Sequence, residues 1–369
     1  MKAFKKYTYL ICFILPPVAI LGFVLGGVAN FLTPILVFLI LPILDIIIGL
    51  DSTNPKEEEV PSLQNEKFYR YVTYAWGYLQ LALVAWACYA VATTSLEIYE
   101  LIGFTISIGL ITGGIGITVG HELGHKNTKF EQFLSKMILM TVCYMHFFIE
   151  HNKGHHLNVS TKDDPATSRL NESFYTFYPR TVFGSFVSAW NIEKKRLQKQ
   201  GKAVWSLANE MIRFVLITLA FAGILFGGIS LITGQIQWIV LGFFFAQSWF
   251  GFSLLELVNY IEHYGLRRKE IAPGKFEKVM PVHSWNANHF VSNAFLFHLQ
   301  RHSDHHANAG RRYQSLRHFE ESPQLPAGYE AMILLALIPP LWKKIMNPKL
   351  EHWQAEFFKK TSNERMANN

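Results

Sequence analysis

The sequence predicts an all-α integral membrane protein: six transmembrane helices arranged as three hairpins, with a cytoplasmic helical cap that carries a histidine site. Three observations predict it. Half of the 369 residues are hydrophobic, with 30 Phe and a positive mean hydropathy. Apolar runs of roughly 20 residues, the length that crosses a hydrocarbon core of about 30 Å, recur through the first two-thirds of the chain. Most of the 15 histidines cluster at or just beyond the ends of such runs.

Spans are expected at about Tyr7 to Ala29, Phe31 to Ile48, Tyr71 to Ala92, Leu96 to Gly120, Met211 to Thr233 and Ile236 to Val258. The turns within the three hairpins (Asn30; Thr93 to Ser95; Gly234 and Gln235) contain no Lys or Arg. Lys2, Lys5 and Lys6, then Lys56, Lys67 and Arg70, and the basic stretch Glu193 to Lys202 lie at the other ends. Positive loops stay in the cytoplasm, so both termini are expected inside a bacterial inner membrane. The start of the chain resembles a secretory signal, ending in Gly27-Val28-Ala29, but its apolar region is long for one and its removal would leave an odd number of spans. It is kept as a span.

A seventh apolar stretch, Phe133 to Ile149, is borderline in length and carries Lys136 and His146. If it crossed the bilayer, the histidines before and after it would lie on opposite faces and could not share a metal. A buried or interfacial helix is expected instead. The chain is thus divided into residues 1–120, four spans leading to the first histidine box; 121–210, an interfacial segment with the second; 211–260, the last hairpin; 261–342, a cytoplasmic cap with a lone histidine motif and the third box; and 343–369, a polar tail. Turn signals at Ala272-Pro273-Gly274 and Pro323 to Pro326 punctuate the cap.

The net charge of +7 comes from Lys and Arg scattered over flanks and loops, without an aromatic-basic motif for nucleic acid. Cys12, Cys88 and Cys143 are far apart and each sits in an apolar stretch. They offer neither a disulfide framework nor the four thiolates of an iron-sulfur or rubredoxin-like centre, so any reductant must be a separate protein.

The chemistry is concentrated in His121-Glu-Leu-Gly-His125, His151-Asn-Lys-Gly-His155-His156 and His302-Ser-Asp-His305-His306, with His263 in Asn259-Tyr-Ile-Glu-His263-Tyr-Gly. On an α-helix, residues four apart share a face, so two imidazoles can reach one ion. The adjacent third histidine can serve a second ion. Nine imidazoles exceed the needs of one ion, and two metals with four or five nitrogens each are the natural partition. Imidazole suits iron, copper and zinc alike, so spacing leaves the metal open. The carboxylates Glu122, Glu150, Asp163, Asp164, Glu262 and Asp304, together with Asn259, are candidates to hydrogen-bond ligating rings and fix their tautomers. His146, His283, His289, His298, His318 and His352 are read as ordinary hydrogen-bonding residues.

Two other classes fit parts of the pattern. His121 to His125 satisfies HExxH, in which two histidines bind zinc and the glutamate activates water, as in an intramembrane zinc protease. That reading leaves the other clusters unexplained. A non-enzymatic membrane metal transporter or sensor would place its ligands near the bilayer midplane, whereas these sit at helix ends.

The motifs HELGHK at 121–126, EHNKGHH at 150–156, NYIEHYG at 259–265 and LQRHSDHH at 299–306 resemble those of the integral-membrane alkane 1-monooxygenases. That family belongs to the three-histidine-box group of membrane non-haem di-iron enzymes, which includes the fatty-acid desaturases. The NYIEHYG and HSDHH forms point to the alkane hydroxylases. A membrane fatty-acyl desaturase or related hydroxylase is the alternative. The resemblance implies two iron ions held by His121, His125, His151, His155, His156, His263, His302, His305 and His306, with O2 as co-substrate and no haem or bound flavin. It also implies electrons from rubredoxin and an NAD(P)H-dependent rubredoxin reductase, and terminal hydroxylation of n-alkanes drawn from the lipid phase. Phe38, Trp76, Trp86, Gly113, Gly114 and Gly116 are candidates to line a hydrocarbon channel, although helix packing explains small residues equally well. Lys194, Lys195, Arg196, Arg267, Arg268, Lys269, Arg311 and Arg312 suit either an acidic electron carrier or lipid headgroups.

Overall fold

The structure is a computed structural model that describes residues 5–367. Four helices long and apolar enough to span a membrane come first: α1 (Lys6–Leu25), α2 (Gly27–Ile48), α3 (Lys67–Thr93) and α4 (Ile98–Gly124). Then come α5 (Lys129–Met140) and α6 (Phe174–Lys199). Two more candidate spans follow, α7 (Glu210–Thr233) and α8 (Trp238–His263), and finally α9 (Tyr329–Ala336) and α10 (Pro339–Ala367). All six expected spans are present.

Three boundaries differ from expectation, each for a local reason. The first reversal falls at Gly26 rather than Asn30. Gly26 has a φ of 68°, which a side chain would disfavour, while Asn30 turns inward and donates to the Gly27 carbonyl. Helices α4 and α8 run past their expected ends to Gly124 and His263. Their last turns are buried, so the polar residues there complete helical hydrogen bonds instead of meeting water.

Helix α4 lies at the centre. Gly113 on α4 and Gly251 on α8 let the two backbones meet: a Cβ added at Gly113 would lie 2.4 Å from the Gly251 carbonyl oxygen. Beside this contact, buried amides join three helices to one carbonyl-rich break. Gln247 donates to the Thr141 carbonyl (2.8 Å), Thr112 donates to Gln247 (2.9 Å), and Gln80 donates to the Thr141 hydroxyl (2.8 Å). These bonds satisfy the freed groups where the seventh apolar stretch interrupts its helix. That stretch divides into α5, 12 residues long, and the short helix Phe147–Glu150, with Cys143 at a φ of 54° between them. A 12-residue helix is about 18 Å long, short of a hydrocarbon core.

The region after α8 contains a small antiparallel hairpin, β1 (Glu270–Ala272) and β2 (Lys275–Phe276), turned at Gly274. The Pro-Gly signal was legible as a turn; the strands were not expected. Buried Arg301 fastens this region to the α2–α3 connection through the carbonyls of Asp51 and Thr53, and Arg312 pairs with Glu131 of α5 at 2.8 Å. Helix α9 packs against α8. These contacts bring the distant histidine motifs to one place.

Candidate metal centre

Helix α4 presents His121 in its last turn and His125 at its C-cap, with their Nε2 atoms 3.2 Å apart. The third box forms the short helix His302–Ala307, in which His302 and His306 are also one turn apart, at 2.9 Å. Both pairs follow the four-residue rule. The second box does not. His151–His155 is a π-helical turn, closed by the His156 N–H donating to the His151 carbonyl. The wider turn brings residues five apart into register, so His151 meets His156 at 3.0 Å while His155 points elsewhere.

The nine histidines named from the sequence therefore form two groups. His121, His125, His151, His156 and His305 form one; His155, His263, His302 and His306 form the other, and within each group the donor atoms lie within 4.8 Å of one another. The π-turn and the neighbouring pair His305-His306 divide their rings between the groups, tying them into one centre. His146, His283, His289, His298, His318 and His352 lie outside both. His298, for example, bonds the buried Tyr9 hydroxyl at 3.1 Å.

These residues fit metal ions. Burial holds His125, His151, His156, His302, His305 and His306 well below the ordinary imidazole range, so they are neutral and keep lone pairs to donate. Across the nine histidines, Nε2 atoms face one another at 2.7–3.3 Å in buried space. Facing lone pairs at such distances are reconciled by a shared cation. His155 differs: burial pulls it down, but the Asp164 carboxylate at its Nδ1, 2.9 Å away, lifts it to about 9. That contact fixes Nε2 as the nitrogen aimed into the group, and a metal there would take the proton's place.

Of the other polar residues expected to support the rings, two touch imidazole. Asp164 is held by Thr167 and serves His155, and Glu262 lies 3.2 Å from His302. Glu122 pairs with Lys126 at 3.0 Å, away from the rings. This removes the support for a zinc protease, whose glutamate must face the metal-bound water. Asp304 pairs with Arg311 at 2.7 Å and accepts from the Arg317 N–H, bracing the chain behind the third box. Asp163 is exposed, Glu150 lies against Gly154, and Asn259 donates to Glu256. Sequence reasoning missed Tyr329, whose hydroxyl donates to Glu262 at 2.8 Å. No local motif marks it, because it lies on α9, far along the chain.

An apolar cavity reaches the centre, and His121, His151, His302 and Glu262 are among the residues of its wall. Phe38, Gly113 and Gly114 line it, as expected of channel residues. Trp76, Trp86 and Gly116 are used in packing: Trp76 donates to Gln80, Trp86 packs on Phe104, and Gly116 faces the Gln80 amide. The π-helical turns Leu36–Ile40 of α2 and Ile111–Gly116 of α4 both contribute to the cavity wall.

Six apolar helices and two histidine groups beside a greasy cavity define a membrane protein of the histidine-box class, with a site suited to metal ions. The fatty acid desaturase family model matches residues 98–335, which include every box. The chain is 46% identical over 319 residues to alkane 1-monooxygenase 2 of Alcanivorax borkumensis, covering 85% of this chain and 81% of that protein. It is 43% identical to the alkane 1-monooxygenase of Acinetobacter baylyi, over 91% and 79% of the two chains. Identity to the Pseudomonas putida enzyme of that name is 41%, over 95% and 86%. The chain belongs to the alkane 1-monooxygenase branch of the fatty acid desaturase family and is an oxidoreductase.

Proposed function

We propose that the chain hydroxylates the terminal carbon of medium-chain n-alkanes, using O2, two electrons and two protons to form a primary alcohol and water. The observation that carries this reading is the apolar cavity ending at two histidine groups, and the names of the relatives support it. An alkane has no polar handle, so its affinity comes from burial at about 0.8 kcal/mol per methylene. Leu15, Leu41, Leu254 and Phe295 supply that burial and exclude water. The cavity presents one end of the chain to the imidazoles, and this alignment selects the terminal carbon over weaker internal C–H bonds. His121, His125, His151, His156 and His305 would hold one iron and His155, His263, His302 and His306 the other. The bound pair supplies the O2 activation that an unactivated C–H bond requires. Asp164 keeps His155 in the tautomer a ligand needs.

The three free cysteines of these 369 residues are fewer than the four thiolates of a rubredoxin-like centre. Rubredoxin and its NAD(P)H-dependent reductase are the proposed source of the two electrons. The six spans lie in the bacterial inner membrane as three hairpins, with both termini and the histidine-bearing cap in the cytoplasm. The test is anaerobic purification in detergent followed by turnover of octane with rubredoxin, its reductase and NADH. Octan-1-ol with about two irons per chain is expected. A desaturated product would replace the hydroxylation reading with desaturation, and loss of metal without loss of turnover would overturn both.

A further inference from the structure

Away from the histidines, three buried oxygens face one opening. Asp45 lies in the last turn of α2, Ser292 on the short helix Phe290–Phe295 and Glu330 in the first turn of α9. Their exposures are 2%, 0% and 5%. One oxygen of Asp45 is occupied: Oδ1 accepts from the N–H groups of Val291 at 2.9 Å and Ser292 at 3.1 Å. Asp45 Oδ2, the Ser292 hydroxyl and Glu330 Oε2 have no hydrogen-bond partner. They lie 2.8, 2.8 and 3.2 Å from the point that a side-chain carbon at position 328 would occupy. Gly328 keeps that point open. Its φ of −64° and ψ of 162° suit any residue, so the space, and not the backbone, calls for glycine.

Buried polar groups are almost always paired, and buried charges meet a counter-charge or a metal. Among the described residues no Lys or Arg pairs with Asp45 or Glu330. Burial holds the neighbouring His289 below the ordinary imidazole range, so it brings no positive charge at neutral pH. Burial, together with the facing Asp45 charge, pushes the Glu330 carboxyl up to about 8. Three guests would relieve this arrangement to different degrees. A proton shared by the carboxyls leaves the Ser292 hydroxyl unbonded. A water bonds all three oxygens but leaves the charge. A cation does both, and oxygen donors alone select a hard one, with two carboxylates matching a divalent charge.

We infer that Asp45, Ser292 and Glu330 hold a hard divalent cation of calcium's class, which fastens α2, the Phe290–Phe295 helix and α9 to one another. The inference depends neither on iron at the histidines nor on the hydrocarbon substrate. Leu41, Phe295 and Glu330 line the apolar cavity, so the ion braces part of its wall.

The test uses full-length, iron-loaded protein in detergent, dialysed free of calcium and magnesium. Calcium takes oxygen donors and not imidazole, so binding of radioactive calcium reads this site and not the histidine groups. The parent is expected to bind one calcium ion saturably, and its thermal unfolding midpoint to rise by about 3–5 °C at saturation. Glu330→Gln keeps the shape but removes a charge, while Gly328→Ala keeps every oxygen but fills the opening. Each should weaken calcium binding at least about tenfold and abolish the thermal gain, with helical circular dichroism like the parent's. If Gly328→Ala fails to fold, the parent and Glu330→Gln decide alone. A parent that binds neither calcium nor magnesium holds only a proton or a water there and overturns the inference, as does either folded variant that keeps the parent's binding and thermal gain.

Discussion

Gly114 offers a direct measure of how the cavity sets substrate length. It lines the cavity, and a Cβ placed there meets nothing within 4 Å, so Gly114→Leu starts its side chain without a clash against the neighbouring backbone. Residue 114 lies seven residues, or two turns, before His121, on the order of 10 Å along the axis. A chain reaching the metals past that point loses the space of about three methylenes to the new side chain. At about 0.8 kcal/mol each, the loss is 2–3 kcal/mol, or about 30- to 150-fold in kcat/KM. A shorter alkane that ends before residue 114 keeps its affinity. Competition between hexane and dodecane, with the alcohols quantified by gas chromatography, reads the ratio directly. Equal loss for both substrates, or for neither, would refute the idea that hydrocarbon lies along α4 with its end at the histidines.

Other consequences follow from the same contacts. Gly113→Ala drives a methyl group to within 2.4 Å of the Gly251 carbonyl, and thermal unfolding in detergent should show a loss of about 1–3 kcal/mol, whereas Gly114→Ala should be nearly neutral. Asp164→Asn removes the negative charge behind His155, and metal affinity measured by competition with a chelator should fall about 10- to 100-fold. Arg312→Ala strands the buried Glu131 carboxylate, although Tyr74 and Thr128 still donate to it. A cost of roughly 3 kcal/mol is expected, visible as earlier unfolding.

The sequence was most informative where chemistry repeats. The six spans were legible because an apolar run near 20 residues has few alternatives, and eight of the nine histidines because three boxes at helical spacing have no packing purpose, whereas the lone His263 rested on the family resemblance. Their division was not legible. The four-residue rule holds for His121 with His125 and for His302 with His306, but the π-turn at His151–His155 changes the partner to His156. A π-turn depends on tertiary packing and leaves no local signature. The same limit applies to the acidic residues. Glu122, Asp164 and Glu262 all lie close to a box in sequence, yet Glu122 faces Lys126, Asp164 the rear of His155, and Glu262 the Nε2 of His302. Only the arrival of Tyr329 from α9 distinguishes the last of these. Where α4 and α8 end was misjudged because their polar last turns are buried by regions that the local pattern does not reveal.

The central claim is that nine imidazoles hold two metals in separate groups of five and four. Removing His302 and His306 together as alanines, in protein purified anaerobically, tests it most directly through iron content and helical circular dichroism. Protein that keeps its helicity and falls from two irons per chain to one agrees with the account. Variant protein that keeps both irons, or that loses both while still folded, contradicts it.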